Sequence, residues 1–217
     1  MTLTPMLPVE ADSLPPQPIR FNDELHLYFW EPTEQVMEYS VTTVLSHFKS
    51  AKDLANIESY RASWEPRGNA VHGCLEQWAK GETVTPGDYA EWVEPMLAHP
   101  FWKEFTPIAS EYRMCDLTRS LGGSCDLIGR WRGKTLLLDL KTQGYAKAQP
   151  YSTDAQLGAY LQMLLGCTTG LWIDEVRTIW CRPGKTVIGK DQGINECSVK
   201  FSQLWEQFIA DQEEDTF

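Results

Sequence analysis

The first clear pattern along the chain is a run of alternating side chains over residues 25–30, Leu-His-Leu-Tyr-Phe-Trp. A period of two predicts a strand. The turn-prone residues 31–34 and the apolar residues within 36–39 predict that this strand folds back as a hairpin. Prolines at positions 5, 8, 15, 16 and 18 precede the hairpin. We therefore expect a mobile or extended proline-rich arm over residues 1–19 and a single domain over residues 20–217.

Helical spacing follows the hairpin. The hydroxyl residues around Ser40 and Val41 are suited to cap a helix, and residues 51–62 and 68–80 are predicted to be helical. In the second of these helices Val71, Leu75 and Trp78 follow the i, i+4, i+7 rule and should face the core. His72 and Glu76 are four residues apart and should share another face. Residues 87–97 and 100–107 are predicted as short helices.

The centre of the chain changes to strand periodicity. Residues 135–138, Thr-Leu-Leu-Leu, are apolar on both faces, which predicts a strand in the middle of a sheet. The resulting order of elements predicts a mixed α/β fold with helices packed on a central β-sheet. The predicted elements are strands at 109–115, 123–130 and 134–141, a helix at 152–165, a strand at 171–181 and a helix at 201–211.

Composition narrows the class of protein. The 217 residues are 42% hydrophobic and 23% charged, as expected for one globular domain, and no apolar run reaches the length of a membrane span. The N-terminus has no secretory pattern, so we expect an intracellular, cytoplasmic protein. The six cysteines form no Cys-x-x-Cys pair, which argues against zinc. A net charge of -11 argues against binding nucleic acid through overall charge, but a local basic groove stays open.

Two acids and a lysine in the central strands suggest a metal site. Asp139 and Lys141 are two apart and should project from one face of their strand, while the Leu140 side chain points into the core and its carbonyl stays near Asp139. If the hairpin turns at residues 132–133, Asp126 lies directly opposite Asp139, with Cβ atoms about 5 Å apart. A slip of one residue would break this pairing.

A divalent cation would relieve the repulsion between two carboxylates so placed. Oxygen ligands on rigid strands suit Mg²⁺ or Mn²⁺, which can polarise a phosphodiester and help to generate hydroxide. Lys141 beside the metal can orient the attacking water or stabilise the transition state. The alternative is a surface Asp–Lys pair on an ordinary strand.

Four short motifs, in order, resemble the PD-(D/E)XK nuclease superfamily. More closely they are similar to its RecB-type branch, with phage recombination exonucleases and a mitochondrial genome maintenance exonuclease, over about residues 21–181. The motifs are Gly-Asn-Ala-Val-His at 68–72, Gly-Ser-Cys-Asp at 123–126, Asp-Leu-Lys-Thr at 139–142 and Gln-Leu-Gly-Ala-Tyr at 156–160.

The resemblance implies a fold and an activity. The fold is a restriction-endonuclease-like core. The activity is Mg²⁺- or Mn²⁺-dependent hydrolysis of single-stranded or end-containing DNA during recombination, repair or replication, by a protein similar to phage-encoded members. DNA is the implied partner, together with recombination or replication proteins, and relatives include oligomers. Some related nucleases hold an iron–sulfur cluster with closely spaced cysteines, which this sequence lacks.

The resemblance also implies roles for single residues. His72 and Glu111 would join Asp126, Asp139 and the Leu140 carbonyl around the metal. The alternatives are a structural helix histidine and a solvated strand carboxylate. Gln156 and Tyr160, on one helix face, would orient Lys141 or contact a phosphate, or else simply pack the helix on the sheet. Candidate DNA contacts, each with a structural alternative, are Arg61, Trp64, Arg67, Arg130, Arg132, Tyr145 and Lys147.

Two other functions stay open at this stage. The motifs do not separate an exonuclease from a structure-specific endonuclease or junction resolvase on the same fold. A non-catalytic nucleic-acid-binding or assembly module is the third possibility, and the acidic net charge favours it slightly.

Overall fold

A computed structural model describes residues 13–167 and 170–214 of the chain. Within them, six α-helices accompany a small N-terminal sheet and a larger central sheet. The strands are β1 (Ile19–Asn22), β2 (Leu27–Trp30), β3 (Gln35–Val36), β4 (Tyr39–Ser40), β5 (Phe105–Asp116), β6 (Leu121–Trp131), β7 (Lys134–Thr142), β8 (Glu175–Arg182) and β9 (Lys185–Ile188). The helices are α1 (Val41–His47), α2 (Ala51–Ser59), α3 (Arg61–Ala79), α4 (Ala90–Leu97), α5 (Asp154–Gly166) and α6 (Ile194–Glu214).

The central sheet is mixed, and helices cover both of its faces, so the predicted mixed α/β class is confirmed. The order β4-β6-β7-β8-β9 forms its path, with β5 paired to the other edge of β6. The β4–β6 and β7–β8 pairs are parallel and the other pairs are antiparallel. Leu137 packs in the core beneath α1, α5 and α6, whereas Leu136, Leu138 and Leu140 pack in a second core against α3 and α4.

The N-terminal hairpin is present and carries an extra strand. β2 pairs with the predicted return strand β3, and β1 adds to the free edge of β2. The first twelve residues of the predicted arm lie outside the described residues. Residues 13–18 run along β5, where the Leu14 amide donates to the Ile108 carbonyl and the Tyr112 hydroxyl donates to the Pro15 carbonyl.

Several helix boundaries differ from the predictions. α3 begins at Arg61 and runs through Pro66, which is exposed, so that water can take up the carbonyl freed by the missing N–H. The predicted helix at 100–107 is wrong in its second half. A short 3₁₀ turn ends at Glu104, because Phe105 is buried and pairs with Trp131 as the start of β5. The predicted cap is confirmed, since the Ser40 hydroxyl accepts from the Thr43 amide.

None of the described helices is both long enough and apolar enough to cross a membrane.

Candidate metal centre and groove

A row of three carboxylates crosses three neighbouring strands of the central sheet. β6 and β7 pair from Trp131 opposite Lys134 to Leu127 opposite Leu138, which is the register predicted from the turn. Asp126 and Asp139 are the next residues along that register. β5 pairs with β6 on both sides of Glu111, which brings Glu111 into line with Asp126. One acid from each of β5, β6 and β7 therefore lies in the same row.

The backbone pairing opens at this row. The β6–β7 ladder ends at Leu127, and further along the same edge β4 pairs with β6 instead. In the gap, the Leu140 amide donates to the Asp126 carboxylate in place of a backbone carbonyl. Glu111 has a φ of 45°, in the left-handed region that a side chain with a Cβ disfavours. Side-chain chemistry thus replaces regular sheet pairing at the row.

His72 of α3 completes a cluster of ligand-type atoms. Its Nδ1 lies 2.9 Å from Asp126 Oδ1 and 3.7 Å from Glu111 Oε1. One ligand atom each from His72, Glu111 and Asp126 lie within 4.8 Å of one another. The predicted faces of α3 are confirmed, because Val71, Leu75 and Trp78 are buried in the core while His72 and Glu76 line a groove.

Lys141 and Asp139 form a buried ion pair beside this cluster. Lys141 Nζ lies 2.9 Å from Asp139 Oδ2 and donates to Oδ1 at 3.0 Å. The Asp139 residue is 1% exposed, and its Oδ2 accepts no well-directed hydrogen bond from the described residues. A buried carboxylate oxygen with unused acceptor capacity is able to bind a cation.

Burial and mutual charge shift the ionisation of the group strongly. Burial alone would lower the pKa of His72, but the charges and hydrogen bonds of Asp126 and Glu111 raise it to about 10. Burial alone would raise the pKa of Asp126, but His72, Lys141 and a backbone amide lower it. For Asp139, burial and the repulsion of Asp126 prevail over Lys141 and raise the pKa to about 6. The two central acids therefore shift in opposite directions.

The remaining predicted site residues surround this centre. The Leu140 side chain is buried in the core, as predicted. Other atoms of Leu140 line the groove, and its backbone carbonyl stays a predicted metal ligand. Gln156 lines the groove and donates from Nε2 to the Tyr160 hydroxyl at 2.7 Å. Burial raises the pKa of Tyr160 well above its usual value, and the charges of Asp139 and Asp126 raise it further.

The centre opens into a groove of about 1040 Å³. His72, Glu111, Lys141 and Gln156 line this groove, with Asp126 and Asp139 buried behind them. Further wall residues bring in positive charge and aromatic surface. The side chains that matter most here are Lys49, Arg113 and Lys200, and the rings of Tyr28, Trp64 and Tyr151. The groove lining therefore carries four basic and four acidic side chains, whereas acidic residues are in excess in the whole chain.

The structure disperses most of the predicted DNA contacts. Trp64 lines the groove, whereas Arg61 pairs with Glu58 and Arg67 is buried against Thr142. Near the β6–β7 turn, Arg130 donates to Thr135 and Arg132 pairs with Glu104, and neither residue lines the groove. Tyr145 and Lys147 lie on the exposed segment between β7 and α5.

Sequence reasoning missed several groove residues. Arg113 could have been found, because it is two residues beyond Glu111 on the same strand and should share its face. Tyr28, Lys49 and Lys200 come from distant parts of the chain, and their approach to the centre depends on tertiary packing. No local pattern in the sequence indicates it.

Comparison with known proteins adds little. No family model matches the chain, and a search of curated proteins gives no match either. A solved structure with some similarity is the crystal structure of SSO0001, with a TM-score of 0.43 and 16% identity over 79% of this chain and 74% of that chain. A similarity at this level carries no conclusion about activity.

Proposed function

We propose that this protein is a Mg²⁺- or Mn²⁺-dependent deoxyribonuclease of the PD-(D/E)XK type, acting as an exonuclease on single-stranded or end-containing DNA. The observation that carries the proposal is the row of Glu111, Asp126 and Asp139 on adjacent strands, with Lys141 beside it, at the wall of an open groove. Asp126 and Asp139 are buried directly behind the groove lining, and buried ionisable groups beside a cleft mark a functional site.

The donor set fits a hard divalent cation. His72, Glu111 and Asp126 offer one nitrogen and two carboxylate oxygens within 4.8 Å of one another, and Asp139 offers a buried oxygen without a directed hydrogen bond. Carboxylate and carbonyl oxygens suit Mg²⁺ and Mn²⁺, whereas an imidazole is a ligand that softer transition metals prefer. When bound, such an ion supplies Lewis-acid polarisation of a phosphodiester and activation of water.

The chain's own residues bind and orient the substrate. Asp139 holds the Lys141 ammonium at the groove wall, where it stabilises negative charge that develops on a phosphate. Tyr160 accepts a hydrogen bond from the Gln156 amide in the same groove, where Gln156 can direct a further hydrogen bond to the substrate. The Leu140 amide fixes the orientation of the Asp126 carboxylate.

The proposal is tested by incubating the purified protein with Mg²⁺ or Mn²⁺ and three DNAs: linear single strands, circular single strands and linear duplex. We expect cleavage of linear DNA that EDTA abolishes. Asp126→Asn, Asp139→Asn and Lys141→Met should each reduce the rate by about 10³-fold or more. Glu104→Gln is the matched control, since Glu104 pairs with Arg132 near the distant turn.

Each outcome decides between the functions. Cleavage of linear but not circular single strands supports an exonuclease, and cleavage of circles supports an endonuclease on the same site. If neither these three DNAs nor a branched DNA is cut with either metal, or if Asp139→Asn cuts at the wild-type rate, the nuclease proposal is wrong. A metal-binding protein that never cuts would be a non-catalytic binding module.

A further inference from the structure

Several hydrogen-bond donors in the groove, among them Arg113 and the Tyr28 hydroxyl, have no side-chain partner within the described residues. Among the groove-lining lysines and arginines, Lys141 pairs with Asp139 and Lys200 pairs with Asp154. Arg113 and Lys49 line the same groove but form no ion pair within the described ranges, although four acidic residues line it too. The Tyr28 hydroxyl also makes no hydrogen bond there.

Arg113 lies immediately beside the row of carboxylates. It follows Glu111 by two residues on β5, with the buried Tyr112 between them, and it pairs across the sheet with Ser124 of β6. Ser124 also lines the groove, with its hydroxyl 3.5 Å from Glu111 Oε2. Arg113 therefore extends from the β5 end of the row of carboxylates, whereas Lys141 lies at the β7 end.

Tyr28 approaches the same place from the N-terminal sheet. Its ring packs against Phe21, with centroids 4.6 Å apart, and over Gly122, where an added Cβ would come within 2.6 Å of the Tyr28 side chain. Burial raises the pKa of Tyr28 to about 12, and the charges of Glu111 and Asp126 add to the shift while Arg113 opposes it. Tyr28 thus lines the groove together with Glu111 and Arg113.

We propose that Arg113 and Tyr28 form a phosphate-binding subsite for the nucleic-acid backbone next to the metal centre. The ligand class is a phosphodiester, bound at the position adjacent to the one that is cleaved, and the inference rests on the proposed nuclease function. A guanidinium binds two phosphate oxygens at once, and a fixed phenol donates one more hydrogen bond. The N-terminal sheet is thereby part of the substrate site.

Binding without cleavage tests the subsite. The probe is a fluorescein-labelled oligothymidylate, titrated with the full-length protein in Ca²⁺ and followed by anisotropy at several NaCl concentrations. Arg113→Gln should weaken binding by about tenfold and reduce the slope of log K against log[salt] by about 0.7, the loss of one phosphate contact with a single strand. Arg113→Lys should restore the slope. Tyr28→Phe should weaken binding by about threefold to tenfold with an unchanged slope.

Controls separate binding from folding. Arg20→Gln lies in the same N-terminal sheet, where Arg20 pairs with Glu34 and covers Phe29, and it should bind as the wild type does. Because Arg113 is exposed, its variants should unfold at the wild-type midpoint. In cleavage assays with Mn²⁺, Arg113→Gln should raise KM more than it lowers kcat.

The two proposals can fail separately. If the wild type cuts DNA but Arg113→Gln keeps the wild-type affinity and salt slope, the subsite is wrong and the nuclease stands. If the wild type binds the oligonucleotide through Arg113 but never cuts, the nuclease is wrong and the backbone-binding subsite stands. If the wild type does not bind the oligonucleotide at any salt concentration, the subsite is wrong.

Discussion

The unusual backbone at Glu111 gives a sharp test of how the centre is built. Glu111 has a φ of 45° within β5, and its side chain reaches His72 and Ser124. The left-handed conformation costs a residue with a Cβ about 1–2 kcal/mol, and glycine avoids this cost but loses about 0.5–1 kcal/mol more chain entropy on folding. Glu111→Gly should therefore gain a net of about 0.5–1 kcal/mol from the backbone alone.

The matched variant is Glu111→Gln, which removes the same charge and keeps the Cβ. We expect Glu111→Gly to be more stable than Glu111→Gln by about 0.5–1 kcal/mol in urea unfolding with EDTA, or by roughly 1–4 °C in melting temperature. Both variants should lose the stabilisation by Mn²⁺, which reaches about 2.7 kcal/mol for the wild type at a hundredfold excess over Kd.

If Glu111→Gly is no more stable than Glu111→Gln, the positive φ is not a strained conformation that the carboxylate requires. If Mn²⁺ stabilises both variants as much as it stabilises the wild type, Glu111 is not a ligand. A gain in stability with a loss of metal response would show that the backbone is strained in favour of function.

Three further predictions concern the framework around the centre. Gly158→Ala should destabilise the protein by about 2 kcal/mol in urea unfolding, because the added Cβ would lie 2.0 Å from a backbone oxygen of α6. In the control Gly73→Ala the added Cβ meets no atom within 4 Å, so this variant should be more stable than the wild type by about 0.5–1 kcal/mol. Equal effects of the two substitutions would contradict the close packing of α5 on α6. Burial raises the pKa of Glu175, but Lys134 and Arg177 prevail and lower it. The stabilising contribution of Glu175 is therefore complete above about pH 4.3, and it is lost as the pH falls through the lowered pKa of the folded state. Unfolding from pH 6 to 3 should thus be less pH-dependent in Glu175→Gln, and an unchanged pH profile would refute this. Gly122→Ala should displace Tyr28 and weaken oligonucleotide binding, and wild-type affinity would show that the ring is not held there.

The sequence predicts the centre best where local geometry alone decides it. The register of β6 and β7 follows from a two-residue turn, and alternation along a strand then aligns Asp126 with Asp139 and turns Leu140 into the core. His72 and Glu76 share a helix face for the same kind of reason.

Other features depend on long-range packing and have no local signal. Glu111 aligns with Asp126 only because the β5–β6 register shifts between Pro107 and Ala109, which a reading of β5 alone does not show. The short strand β9 and the first turns of α6 are polar and exposed in part, so their sequences lack a clear period. Tyr28 reaches the groove only because Gly122 leaves room for its ring.

The tight turn between β6 and β7 also indicates where the chain can be engineered. Arg132 and Gly133 both have positive φ, at 50° and 79°, as a two-residue hairpin loop requires. A segment grafted between them would leave both strand arms at their present length, so the opposed acids would keep their partners. One residue inserted within a single arm would instead carry its acid to the reverse side of the sheet. A fluorophore or affinity tag therefore belongs at this bend.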